Sequence, residues 1–435
     1  MPISGKRGLC DACAMSELSI VFLGHPQPRH SGDWLHRVTW PAHALGALAR
    51  TSSVQTVHPQ WVKQALQADV LVVLMIAEPI LTEVMRHRRA AGRATVFEIS
   101  DDFAAVAAAN PLKGFYARPE VQELIRQLAA QADAVQFSSD FLAEKYAHLN
   151  PCRAIFRNQL LDISPARPST GNQPLRIGWA GSLGHLEDAR LLAGWIVTWP
   201  GREAVRWCLM CGSEIAQVFE RAGVKAEVRP TGSMHDYLEF LGGLDVGLAW
   251  VGDDDFSRGR SDGKFLEYAA QGVLPVCRNS PVYASTLKDG VTGFLFDGEA
   301  DLHRLLDRLV ADPAEVRRTG EAARTHVAQW RCHAVNSGER LAFYAGLVEL
   351  RSASERGCQE EISPLEADIY TGMELVNQQK YVEALSQMLG VMEREPEFFF
   401  VWQVLETICT RLGRLEEAQQ CARRKAVLLY ADMPF

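Results

Sequence analysis

The sequence predicts an α/β protein: two consecutive parallel-sheet domains followed by a small all-α segment of helical repeats. Three observations carry this. Short apolar strands alternate with helical stretches over residues 18–165, and such alternation builds a parallel sheet. The alternation breaks at a stretch rich in Pro, Ser, Thr, Gly and Asn near 162–174 and restarts at Leu175, the mark of a linker between domains. Beyond the charged stretch 351–361, Gln379-Lys-Tyr-Val-Glu-Ala384 recurs as Gly413-Arg-Leu-Glu-Glu-Ala418 with a period of 34, the length of a tetratricopeptide-like helix pair.

Taken in order, residues 1–17 read as a flexible tail. The strand Leu18-Ser-Ile-Val-Phe-Leu-Gly24 then opens an N-terminal Rossmann-like domain, 18–165. It runs into a loop with Gly24, Pro26, Pro28 and Gly32, and a helix from about 35 to 49. Further strands are expected at 70–75, 94–99 and 134–137, with helices at 59–67, 80–91 and 119–131. A second Rossmann-like domain, 174–335, begins with Leu175-Arg-Ile-Gly-Trp-Ala-Gly-Ser182. Its later strands fall at 206–210, 226–229, 246–250, 274–277 and 293–296, with a helix at 264–271. A crossover helix at 336–350 is expected to return and pack on the first domain. The repeat segment, 362–435, needs another surface to bury its faces, and docking on the second domain or on a second copy of the chain is expected. Open parallel sheets bind ligands at the carboxyl ends of their strands, so the two domains are expected to face one cleft.

The chain of 435 residues suits about three domains. A hydrophobic share of 47% beside 23% charged residues excludes a disordered chain, and a net charge of -8 argues against a general nucleic-acid binder. No run approaches the roughly 18 apolar residues of a spanning helix. Lys6 and Arg7 precede Gly, Cys, Asp and Cys rather than an apolar stretch, so the expected location is cytoplasmic. The ten cysteines then read as reduced thiols. The pairs Cys10/Cys13 and Cys208/Cys211 read as tail and buried strand rather than a zinc site, and Asp253-Asp-Asp255 as a solvated loop rather than a metal motif. The aromatic run Phe398-Phe-Phe-Val-Trp402 reads as repeat-helix packing. No metal and no cofactor is expected.

Three groups of residues carry the chemistry. In the first, Lys264 and Glu267 stand three apart on one face of a helix whose first turn, with Arg260, offers a cradle for a pyrophosphate. In the second, Ile177-Gly-Trp-Ala-Gly-Ser-Leu-Gly-His-Leu-Glu-Asp188 is a strand ending in a Gly-rich loop, where Gly181 lets backbone approach a phosphate. In the third, Val96-Phe-Glu-Ile-Ser-Asp-Asp102 delivers two carboxylates from a buried strand. Neighbours on an extended chain point apart, so one of the pair faces a ligand while the other caps or turns the chain.

The run Arg260-Ser-Asp-Gly-Lys-Phe-Leu-Glu-Tyr-Ala-Ala-Gln-Gly272, then Pro275-Val276, Pro281-Val-Tyr283 and Asp289-Gly-Val-Thr-Gly293, resembles the donor-binding signature of the group 1 glycosyltransferases. The run around Gly181 resembles a subset of that family. The resemblance spans about residues 18–350 and implies the two-Rossmann GT-B architecture, a nucleotide-diphosphate sugar as donor substrate and retention of anomeric configuration. It implies that Lys264 binds donor phosphate and Glu267 the ribose, with Gly181, Ser182, His185 and Arg260 completing the donor site. Asp101 and Asp102 are the implied catalytic carboxylates; as a base, one of them would instead serve an inverting enzyme. Gly32, Asp33 and Arg37 lie where this fold meets its acceptor: a glycan, a lipid-linked glycan or a protein. One departure is Gly259, where many members carry a second, sugar-contacting glutamate. The alternative is a non-catalytic scaffold, in which a degenerate transferase domain supports a repeat-mediated protein-interaction or self-association module.

Overall fold

A computed structural model describes residues 18–26, 31–58, 60–106, 112–161, 163, 174–252, 254–354, 364–396 and 399–430. Cys10, Cys13, Pro28, Asp253, Phe398 and most of the expected linker lie outside them. The chain divides into two compact units: 1–100 with 114–156 and 338–435, and 101–113 with 157–337.

The first unit holds a six-stranded parallel sheet of β1 (Ser19–Gly24), β2 (Arg50–Gln55), β3 (Val70–Leu74), β4 (Ala94–Ile99), β5 (Ala134–Phe137) and β6 (Arg153–Ile155), in the order β2-β1-β3-β4-β5-β6. The central strands β3, β4 and β5 are buried at every position. A strand covered on both faces reads as a near-continuous apolar run: β3 is apolar throughout, and β4 and β5 are interrupted only by the buried Thr95, Glu98 and Gln136. β2 and β6 were not expected: Arg-Thr-Ser-Ser-Val-Gln and Arg-Ala-Ile are polar or short, as edge strands are.

After β1 the helical stretch is composite, with Gly32–Trp34, a π-helical turn Leu35–Thr39, and Trp40–Leu45. Pro41 has no N–H to return to the Arg37 carbonyl, and the Trp40 N–H bonds back to Leu35, widening the turn.

The second unit holds β7 (Arg176–Gly181), β8 (Arg206–Cys211), β9 (Ala226–Arg229), β10 (Val246–Ala249), β11 (Leu274–Arg278) and β12 (Phe294–Phe296), all parallel, in the order β12-β11-β10-β7-β8-β9. Its core joins Ile177, Trp179, Leu192, Ile196, Trp207, Leu209, Phe219, Leu248 and Val276. Three of its helices matter below: α1 (Leu186–Thr198), α2 (Met234–Gly242) and α3 (Gly263–Ala270). Cys208 and Cys211 are buried free thiols of β8, and burial pushes both up to about 11.

The long helix α4 (His333–Ser354) starts in the second unit and continues in the first. There Leu341, Tyr344 and Leu347 join the core formed by Ile20, Phe22, Val72 and Val96. Four more helices follow: α5 (Pro364–Asn377), α6 (Tyr381–Arg394), α7 (Phe399–Arg411) and α8 (Leu415–Tyr430). They group with the first unit rather than with the second, where Gln60 Nε2 donates to Asn377 Oδ1 at 3.3 Å. Among the described residues no helix is long and apolar enough to cross a membrane.

Candidate functional site

In the second sheet the chain leaves β7 towards β8 and β9, then returns to β7's other side as β10. That reversal is the topological switch point at which open α/β sheets bind ligands, beyond the carboxyl ends of the strands. β7 ends there at Gly181, where a Cβ would lie 2.3 Å from the Trp179 ring. Glycine is thus required by the packing of Trp179 alone, whatever binds above it. Ser182 precedes a short 3-10 turn, its carbonyl accepting from the His185 N–H at 2.9 Å, and its hydroxyl makes no capping bond.

His185 ends that turn and begins α1, with its side chain 16% exposed. It is not the solvated loop histidine that a Gly-rich turn suggests. Its Nδ1 lies 2.9 Å from Asp188 Oδ2 and 3.1 Å from Arg260 Nη1. A single nitrogen serves one of these at a time: protonated, it donates to Asp188; bare, it accepts from Arg260. Burial, then the charges of Arg260 and Lys264, push the His185 imidazolium down to about 4, against the pull of Asp188. The ring is therefore neutral at physiological pH.

Arg260 follows the short helix Asp255–Gly259 and lies over the Phe256 ring at 5.4 Å. Asp254 caps that helix, accepting from the Ser257 N–H at 3.0 Å and its hydroxyl at 2.7 Å. The helix α3 then carries Lys264 and Glu267, whose charged atoms stand 3.9 Å apart. Between them sits Tyr237 of α2: Lys264 Nζ donates to its hydroxyl at 3.0 Å, and that hydroxyl donates to Glu267 Oε2 at 2.5 Å. Asp262, the residue before α3, makes no capping bond to it. Its carboxylate is taken bidentately by Arg331 at 2.6 and 2.9 Å. The first N–H groups of α3 consequently have no side-chain acceptor at that cap, the condition under which a helix N-terminus takes an anion. Burial, aided by Arg260, holds the Lys264 ammonium below its ordinary range despite Glu267.

The remaining sequence-predicted residues are Asp101 and Asp102, which group with the second unit, and Gly32, Asp33 and Arg37, which group with the first. Asp102, fully buried, accepts from the Ala104 N–H at 3.2 Å, which turns the chain; Asp101 beside it is half-buried. In the first unit Gly32 is exposed and Asp33 half-buried in the first helical turn. Arg37 is buried in the π turn, ion-paired through Nε to Glu98, with Nη1 donating to the Phe156 carbonyl at 2.8 Å. Gln136 donates to the same carboxylate and accepts from the Tyr344 hydroxyl at 2.8 Å.

Sequence reasoning passed over Tyr237, and nothing in the pattern of α2 marks it: the residue is visible only once α2 and α3 lie side by side. It quoted Asp188 without a role. It also missed Glu78, beyond β3, where burial raises the carboxyl to about 7. Three residues earlier Met75 takes φ 39°, a left-handed conformation that costs a non-glycine residue of order 1–3 kcal/mol.

Residues 194–335 match the model of a family described as "Glycosyl transferase-like". The sequence matches none of the curated proteins compared with it. Among solved structures, the chain is similar to Anabaena Alr3699/HepE in complex with UDP and glucose: TM-score 0.56, 13% identity, 78% of this chain and 100% of that one. It is similar to an alpha-glucosyltransferase in complex with UDP and a 13-mer DNA containing a HMU base: TM-score 0.55, 11% identity, 76% and 100%. It is also similar to TarM, with TM-score 0.50 and 14% identity over 66% of this chain and 57% of that one. The chain therefore has the GT-B fold of these proteins, and its residues 194–335 match the glycosyl transferase-like family model.

Proposed function

We propose that the protein transfers a sugar from a nucleotide-diphosphate sugar to a glycan, lipid-linked or protein acceptor in the cytoplasm, with retention of anomeric configuration. The observation that carries this reading is the meeting of His185, Arg260, Lys264 and Glu267, beside the open first turn of α3, at the switch point of the second sheet. Two cations and a helix N-terminus suit a leaving diphosphate, and a fixed carboxylate suits a ribose. The UDP held by HepE and by the alpha-glucosyltransferase makes UDP the first nucleotide to try.

In this reading the Gly181 and Ser182 backbone and the α3 N-terminus receive the diphosphate, Lys264 and Arg260 neutralise it, and Glu267 accepts from the ribose. Arg260 is poised for this, because the neutral His185 ring can release it and turn its Nδ1–H to Asp188. As the bond from the anomeric carbon to the diphosphate oxygen breaks, charge on that oxygen is met by groups already in place. The acceptor hydroxyl forms the new bond on the same face, and its proton passes to the departing diphosphate. Asp101 and Asp102 are the proposed catalytic carboxylates, of which Asp102 also holds the turn through the Ala104 N–H. Gly32, Asp33 and Arg37 are the proposed acceptor side, with Arg37 acting through Glu98 from its buried position.

For the helical segment we propose tetratricopeptide-like repeats that take a protein partner or a second copy. Supporting this, Gln379 and Gly413, one period apart, both take positive φ, 62° and 73°, ahead of α6 and α8. Ala384 and Ala418 are both buried.

Calorimetric titration of UDP, ADP and GDP against wild type, Lys264→Ala and Glu267→Ala tests the donor site. Saturable binding of one diphosphate, weakened at least tenfold in each variant, is expected. Binding of none of them by wild type favours the non-catalytic scaffold.

A further inference from the structure

The donor reading leaves one group of the site unexplained. Tyr237 comes from a different helix than Lys264 and Glu267, yet its hydroxyl is bonded to both. Lys264 also lies over its ring, 5.0 Å from the centroid. We infer that Tyr237 is a positioning residue of the donor site: its hydroxyl spaces the Lys264 ammonium from the Glu267 carboxylate so that each stays available to the nucleoside diphosphate. This rests on the donor reading above.

The geometry explains why a spacer is needed. An ammonium and a carboxylate three residues apart on one helix close readily into a direct pair, and in a site where both are mostly shielded from water such a pair is held tightly. Closed, it would spend the cation on the carboxylate and leave less charge for a phosphate. Here Nζ and Oε2 stay 3.9 Å apart, beyond hydrogen-bonding distance, with the phenol oxygen between them. The phenol accepts from the lysine and donates to the glutamate, so each ion keeps a hydrogen-bonded partner without meeting the other. Burial and the adjacent Glu267 carboxylate hold the phenol far above its ordinary range. It therefore keeps its proton at any working pH, and the direction of the relay is fixed. The cation over the ring limits where the ammonium can swing. The position of Tyr237 is set in turn by α2, whose first turn is locked by a capping box between Ser233 and Asp236.

Phenylalanine at this position keeps the ring, the packing and the cation–π contact and removes only the spacer. In Tyr237→Phe, Lys264 closes onto Glu267, and the diphosphate must break that pair to bind.

The test is a calorimetric double-mutant cycle on the full chain, titrated with UDP, ADP and GDP. It compares wild type, Tyr237→Phe, Glu267→Gln and the double variant, with melting temperature as a folding control. Tyr237→Phe is expected to weaken the bound diphosphate about tenfold, or 1.4 kcal/mol, with its melting temperature within a few degrees of wild type. Once Glu267 is neutral there is no carboxylate for Lys264 to close on. Tyr237→Phe should then cost little more in the Glu267→Gln background, an interaction that a merely structural tyrosine would not show. With a turnover assay, the same variant should raise donor KM and leave kcat within about twofold, because the contact it supports is made in ground and transition states alike. Binding by Tyr237→Phe equal to wild type, or equal losses in both backgrounds, overturns the inference and leaves the donor site standing. Failure of wild type to bind any of the three diphosphates overturns both.

Discussion

At His185 and Glu78 burial acts on opposite charges, and the two give stability opposite slopes over one pH range. The His185 ring is pushed down to about 4, so between about 6.5 and 4 the unfolded chain takes up a proton that the folded ring refuses, and stability falls as pH falls. Glu78 is raised to about 7, so between about 4.5 and 7 the folded chain keeps a proton that the unfolded chain releases, and stability falls as pH rises. Glu78→Gln should therefore be more stable than wild type at pH 8, by roughly 1–3 kcal/mol, with the difference vanishing near pH 4. His185→Gln should instead gain relative to wild type as the pH drops below 6. Urea denaturation from pH 4 to 8 reads both. A Glu78→Gln curve parallel to wild type would place its carboxyl in water.

One contact of helix α3 with the sheet leaves no room to spare. Gly247 of β10 faces the Tyr268 ring, where a Cβ would come to 2.3 Å, and the Tyr268 hydroxyl donates to the Leu248 carbonyl at 3.0 Å. The ring is fully buried and cannot give way cheaply. Gly247→Ala should push α3 off the strand, costing about 1–3 kcal/mol and weakening diphosphate binding as Lys264 and Glu267 move with it. A shifted melting temperature together with a raised Kd is the expected result, and unchanged values in both would show that the helix tolerates the displacement. The elements that fix this geometry were the legible ones. β7, β10 and β11 are short apolar runs closed by glycine or a polar turn, and Lys264 and Glu267 keep helical spacing. The illegible parts are those whose cause lies outside their own stretch of sequence. β2 reads as a polar loop because only its pairing with β1 makes it a strand. Arg37 sits on an amphipathic stretch like any surface arginine, and its burial follows from Glu98, 61 positions later. Tyr237 has meaning only beside α3.

Across the whole chain, the sheet of the first unit and the helical segment draw on different parts of the sequence after residue 337. Leu341, Tyr344 and Leu347 of α4 are core residues of that sheet, whereas the core of the second unit runs from Leu175 to Val316. A chain ending after Ser354 should fold and bind a nucleoside diphosphate within about twofold of the full chain, since α5–α8 contribute none of the residues around Lys264. A chain ending at Cys332 should lose the cooperative unfolding of the first unit, because removing three large core side chains costs about 2–5 kcal/mol each. Calorimetric melting and titration of both truncations separate these outcomes.

The way the chain enters and leaves the second unit carries a further consequence. Leu160 and Cys332 form a parallel bridge, with the Leu160 N–H donating to the Arg331 carbonyl at 2.8 Å and the His333 N–H to the Leu160 carbonyl at 2.9 Å. Arg331 fastens the same junction from within, reaching the Asn158 carbonyl at 2.9 Å as well as Asp262. Entry and exit are thus stitched side by side, the arrangement that lets one domain be inserted into another without disturbing either. Residues 157–337, the longer of the two stretches that make up the second unit, are closed at this one seam. On the donor reading, a related segment grafted at the same stitch should bring its own nucleotide preference with it, which titration of UDP, ADP and GDP against the graft would read.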